Sequence, residues 1–135
     1  MKALDTTTLV RYYTADDADQ HAAVLRVLKT EAALFVPKTV VLELWWALTR
    51  SKKYMFSSEQ AYEVVTHLAG LDAIVIEDIE AVMKALQWQK NGLDFPDALH
   101  LAASAGCTEM LTFDNEKFAR RANRLNLKPA CIIPA

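Results

Sequence analysis

Short apolar runs alternate with helical patterns along almost the whole chain, and this alternation limits the possible folds more than any other feature. Residues 2–5 (KALD), 33–37 (ALFVP), 72–77 (DAIVIE), 109–113 (EMLTF) and 130–134 (ACIIP) read as short strands. Helical spacing runs from Ala18 to Thr30, Thr39 to Arg50, Ser58 to Leu68, Ile79 to Lys90, Asp97 to Ala105 and Glu116 to Arg124. Leu9, Val10, Tyr12 and Tyr13 predict a further helix directly after the first strand. Thr14-x-x-Asp17 has the spacing of a capping box, whereas Ser58 is followed three residues on by Ala61 and fails as one. Strands alternating with helices imply an α/β fold whose sheet is mostly parallel and covered on both faces. Ligands of such sheets bind at the carboxyl ends of the strands.

Nothing in the sequence marks a domain boundary. There is no internal repeat and no Gly/Ser/Pro-rich linker, so one domain over 1–135 is expected. That length buries a core without disulfides or structural metals. Apolar residues make up 53% of the chain, with three Gly and four Pro, which excludes a disordered or low-complexity protein. Cys107 and Cys131 have neither CxxC nor CxxH spacing, so a reduced pair in a cytoplasmic protein is expected. No run of about 18 apolar residues and no signal-peptide pattern is present, so no membrane partner is expected. The net charge of −2 argues against a generally basic nucleic-acid binder but leaves room for a local basic groove.

Carboxylates then stand at telling places. Asp5 ends the first strand and Asp114 ends the fourth, each just before a helix. For either alone, capping that helix is a sufficient account. Glu43 is the one charged residue within Val40–Leu48, an otherwise apolar helix segment, so it is expected to have limited access to water and to need a partner. It shares a stripe with Thr39, Trp46 and Arg50. Asp97 falls in the first turn of a largely apolar helix with Pro96 beside it, where the helix dipole favours its ionised form. Asp94 and Asp97 have capping-box spacing, and capping is the preferred role for Asp94. Four acids converging on one pocket would repel one another unless a cation joined them. Oxygen ligands without His or Cys suit Mg²⁺ or Mn²⁺, ions that activate water against phosphate esters.

In order and spacing, ALDTTTLVRYYTADD, FVPKTVVLELWWAL, GLDFPDALHLAAS and LTFDNEKFAR resemble the PIN domain, and within it the VapC-type toxins of toxin–antitoxin pairs. The resemblance spans essentially the whole chain. It implies a three-layer α/β/α sandwich around a central, mostly parallel sheet of about five short strands. It also implies a metal-dependent endoribonuclease with Asp5, Glu43, Asp97 and Asp114 as catalytic and metal-binding acids, a homodimer, and a VapB-like antitoxin that covers the acidic pocket. Thr7 stands where relatives usually carry Asn or Ser; its hydroxyl can orient Asp5 while its methyl crowds the site. Glu116 matches a place where some relatives have an extra acid.

Other residues carry weaker signals. Lys38, Arg11 and Arg50, with Lys52, Lys53, Arg120, Arg121 and Arg124, are the candidates to hold RNA, and a solvated helix face is the plainer reading for any one of them. His100 lies one turn past Asp97, and such a histidine is more often structural than catalytic. Trp45 and Trp46 are adjacent and point in different directions, which places one of them at an interface. Two rival enzymes fit poorly. A haloacid-dehalogenase-type phosphatase needs a second acid at position 7, and a receiver domain needs a lysine after a late strand. A PIN fold that binds an antitoxin or RNA without efficient cleavage stays open as the alternative.

Overall fold

In this computed structural model, which describes all residues from Met1 to Ala135, each of the five expected strands forms over two or three residues: β1 Lys2–Ala3, β2 Leu34–Val36, β3 Ile74–Ile76, β4 Glu109–Leu111 and β5 Ala130–Ile132. All pairings are parallel, as the alternation predicts. The chain falls into two units, Met1–Ile79 and Glu80–Ala135.

In the first unit β1, β2 and β3 pair in that order, with Lys2 opposite Leu34 and Leu34 opposite Ile74. Parallel neighbours need long crossovers, and helices supply them. Helices α1 (Thr6–Thr14) and α2 (Ala18–Thr30) join β1 to β2, while α3 (Lys38–Arg50) and α4 (Ser58–Gly70) join β2 to β3. Leu34 and Val36, which share one face of the central strand, are fully buried, while Phe35 on the opposite face is half-buried. Leu9 of α1, Val41, Leu44 and Leu48 of α3, and Val65 and Leu68 of α4 complete this core.

Local chemistry sets the helix ends, and two expectations change here. Thr14–Asp17 is not a capping box: Thr14 closes α1 with its hydroxyl on the Val10 carbonyl, and Asp17 alone caps α2 by accepting from the Gln20 amide. The box lies one residue before the rejected register, where Ser57 accepts from the Gln60 amide and Gln60 accepts from the Ser57 amide. Helix α1 stops at Ala15, whose φ of 53° is left-handed and whose amide reaches back to Arg11. Pro37 offers α3 no side-chain cap, so Glu77, just past β3, accepts from the Lys38 amide at 2.8 Å.

A polar clamp fixes the turn between α1 and α2. Asp16 receives the Tyr54 hydroxyl at 2.7 Å, the Lys53 ammonium at 2.8 Å, the Thr14 hydroxyl at 2.9 Å and Arg11 at 3.3 Å. Lys53 first, then Tyr54, hold its carboxyl far below the usual carboxylate range. The loop between α3 and α4 is thereby tied to the α1–α2 turn.

In the second unit β4 and β5 pair, with Met110 opposite Cys131. It also holds α5 (Ile79–Lys90, whose first residue belongs to the preceding unit), α6 (Phe95–Ala103), a π-turn over Asn115–Ala119 and α7 (Arg120–Arg124). Phe95, Ala98 and Leu101 of α6 are fully buried. The Asn123 side chain pairs with both backbone groups of Cys131, extending β5 laterally with an amide. No helix is long and apolar enough to cross a membrane.

Candidate active site

Asp5 and Glu43 are brought together by the residue between β1 and the body of α1. Asp5 is the N-cap of α1, and its carboxylate accepts from the Thr6 amide at 2.7 Å. The Thr6 hydroxyl donates to Glu43 Oε2 at 3.0 Å, across 37 residues of sequence. One threonine therefore touches both acids, with its backbone on one and its side chain on the other. The plain capping role of Asp5 and a place beside a second acid are both realised.

Glu43 is exposed, which corrects the expectation of limited access to water. The reason lies in the helix: Val40, Val41, Leu44, Trp45 and Leu48 form its buried side, leaving position 43 on the open one. No cation compensates the pair, since neither Asp5 nor Glu43 enters any of the salt bridges. Arg50 does not reach Glu43 either. Its guanidinium lies over the Trp46 ring, 4.9 Å from the centroid.

Asp97 and Asp114 belong to the second unit. Asp97 sits half-buried in the first turn of α6. Burial pushes the Cys131 thiol of β5 above its ordinary value, and the nearby charge of Asp97 pushes in the same direction. The predicted capping bond from Asp94 is absent although Asp94 is the N-cap. Pro96 stands in the first turn and has no amide hydrogen, so one of the usual targets of a cap is missing. Asp114 follows β4 and accepts from the Lys117 amide at 2.9 Å, while its own amide bonds the Thr112 hydroxyl. It thereby opens the π-turn, an uncommon conformation that recurs at functional sites. Glu116 is exposed and pairs with Arg120 at 3.2 Å. His100 is exposed.

Thr7, the expected orienter of Asp5, is exposed and makes neither contact; Thr6 makes both. Its signal in the sequence was hidden by the run Thr6-Thr7-Thr8, in which any of three hydroxyls could serve. Of the RNA candidates, Arg11 is engaged by Asp16 and Gln20, and Lys38 by Asp78 at 2.9 Å. Arg121 and Arg124 instead line a cavity of about 380 Å³ with Asn91 and Gly92, where Arg121 donates to the Gly92 carbonyl. Trp45 is corrected from an interface residue to a core one, being 3% exposed. Trp46 is half-buried, and its indole N–H has no acceptor.

Within neither unit do three His, Cys, Asp or Glu side chains gather into a metal-holding group. The donor chemistry of the Asp5–Glu43 pair nonetheless fits a hard divalent cation: carboxylate oxygens only, exposed, and without a competing lysine or arginine.

An α/β protein with parallel strands, helical crossovers and acids at strand ends is the class these features define. The chain belongs to the PIN domain family, whose model matches residues 2–124. Among solved structures, it is similar to the Mycobacterium tuberculosis toxin VapC20, described as cleaving the sarcin-ricin loop. That likeness is at 18% identity and a TM-score of 0.42, over 86% of this chain and 92% of that one. No curated protein matches the chain.

Proposed function

We propose that this chain is a single PIN domain acting as a metal-dependent endoribonuclease, the toxin of a VapBC-type pair, working in the cytoplasm. The observation that carries the reading is the Asp5–Thr6–Glu43 arrangement: two exposed carboxylates oriented by one residue and neutralised by none. Placing two like charges side by side costs energy that a protein recovers when a cation binds. In this reading Asp5, Glu43, Asp97 and Asp114 would hold Mg²⁺ or Mn²⁺, which would supply Lewis acidity toward phosphate oxygens and water.

The chain's own residues do the rest. The Thr6 amide and hydroxyl fix the rotamers of Asp5 and Glu43, so the acids are preorganised rather than assembled during reaction. A carboxylate of the set takes the proton of the attacking water. Arg121 and Arg124, around their shared cavity, bind backbone phosphates of the RNA. Self-association as a homodimer and a VapB-like antitoxin complete the reading, with the unsatisfied indole N–H of Trp46 as a contact point.

The test incubates purified, antitoxin-free protein with total RNA and Mg²⁺ or Mn²⁺, beside Asp97→Asn, Glu43→Gln and a chelator. Discrete cleavage lost in all three controls supports the proposal. Absence of cleavage together with metal binding that survives Asp97→Asn refutes it. Trp46→Ala is expected to weaken self-association or antitoxin binding, and an unchanged sedimentation profile with unchanged antitoxin affinity removes Trp46 from both roles.

A further inference from the structure

A second concave site lies wholly in the first unit and uses none of the four acids. It is a cavity of about 630 Å³ between α1, α2, α4 and the residue Phe56, within the size range of ligand pockets. Five of its nine lining residues carry rings: Tyr12, Tyr13, His21, Phe56 and His67. Tyr12 lies nearly parallel to His21, with centroids 6.1 Å apart and planes at 13°, and is stacked with His67 at 6.3 Å. Tyr13 meets Tyr12 and His67 edge-on and shares a 2.8 Å hydrogen bond with His67 Nδ1. His21 Nδ1 contacts the Arg11 carbonyl at 3.0 Å. A carbonyl only accepts, so Nδ1 carries the hydrogen and Nε2 of the neutral ring is left as an acceptor.

With His21 and His67 counted as neutral, the formal charge of this cavity has one sign. Neither lysine nor arginine lines it, and Glu63 is its only formally charged residue. Glu63 enters no salt bridge. The faces of the tyrosine and phenylalanine rings are electron-rich and attract cations. A phosphate would meet a carboxylate and negative ring faces, which argues against RNA. A guanidinium suits both features: it is planar, stacks on aromatic rings and bonds a carboxylate through two parallel N–H groups. The volume exceeds what one side chain fills, so the matching occupant is an arginine presented by a polypeptide.

We infer that the cavity between α1, α2 and α4 is a docking site for an arginine side chain of a partner protein. This goes beyond the ribonuclease reading and stands or falls separately from it.

The test records amide and imidazole NMR signals of the full chain during titration with acetyl-Gly-Arg-Gly-amide. The neutral acetyl-Gly-citrulline-Gly-amide and a short oligoribonucleotide are run in parallel. Saturable shifts at His21, His67 and Tyr12 are expected with the arginine peptide alone. Glu63→Gln, at an exposed position, is expected to keep the fold and weaken that binding by at least about threefold, a modest share of a cation–π and carboxylate contact. No localised response, an equal response to the citrulline peptide, or a response to the oligoribonucleotide at these residues overturns the inference. The citrulline comparison needs no variant, so the outcome does not hang on the folding of Glu63→Gln.

Discussion

Substitutions at Asp5 separate its two roles, because Asn can cap a helix but cannot carry a charge. The carboxylate accepts from the Thr6 amide at 2.7 Å, at the first residue of α1. Losing an N-cap side chain costs about 0.5–2 kcal/mol. The bond here goes to the adjacent residue rather than to the second or third helical amide, and the site is exposed, so the lower half applies, about 0.5–1 kcal/mol. Unfolding entropy of about 2.1 cal/mol/K per residue gives about 0.28 kcal/mol/K for a chain of 135 residues. Asp5→Ala should therefore lower Tm by about 2–4 °C. Asp5→Asn should hold Tm within about 1 °C, since Asn and Asp rank together as caps. Ribonuclease activity should divide differently, with both variants losing on the order of 10²-fold or more. The assays are a thermal melt by circular dichroism and single-turnover RNA cleavage in Mn²⁺. An Asp5→Asn protein with native Tm and native activity would refute a chemical role for the charge. A drop in Tm for Asp5→Asn equal to that of Asp5→Ala would refute the capping geometry.

Three further outcomes are expected. Leu44→Ala removes a fully buried side chain from the inner side of α3 and should cost about 2–5 kcal/mol, read as a lower urea midpoint at unchanged slope. Ala15→Gly should stabilise the chain by about 0.5–1 kcal/mol, because Ala15 holds a left-handed φ of 53° that glycine adopts without a Cβ clash; equal or lower stability by urea titration would count against it. Asp16 is held ionised in the folded chain by Lys53 and Tyr54, so its folded pKa lies below the unfolded one. Its stabilisation is present above the ordinary aspartate pKa of about 4 and is lost as pH falls through the folded value. Asp16→Asn should flatten this acid limb of the stability curve, and an unchanged acid limb would show that the clamp does not contribute.

Much of this molecule was legible in its pattern because burial is periodic. The spans Ala18–Thr30 and Ile79–Lys90 match their helices end to end. Boundaries differ where local side-chain and backbone hydrogen bonds decide them. The box at Ser57–Gln60 has the S-x-x-Q signature in the sequence, and reading the register from Ser58 instead of Ser57 hides it. The segment expected as one helix from Glu116 to Arg124 begins as a π-turn, because Asp114 bonds the Lys117 amide and the Ala119 amide bonds back to the Asp114 carbonyl. Among the candidate acids, strand-end placement points to Asp5 and Asp114, and an isolated charge in an apolar helix points to Glu43. The accessibility of Glu43 was misjudged because a helix apolar nearly all round still has one side turned to water. Thr6 was invisible for a different reason: its importance is a contact over 37 residues, and sequence spacing carries no record of it.

That contact also sets how far position 6 can drift. A residue whose amide serves one acid and whose hydroxyl serves another is replaceable by serine and by little else. Alanine and valine keep the amide and abandon Glu43. Once Glu43 is replaced by an apolar residue, the demand for a hydroxyl disappears, and position 6 becomes as permissive as any exposed start of a helix. In a saturation library, the allowed alphabet at residue 6 should therefore widen or narrow with the letter at residue 43, a dependence that a double-mutant cycle would read as non-additivity.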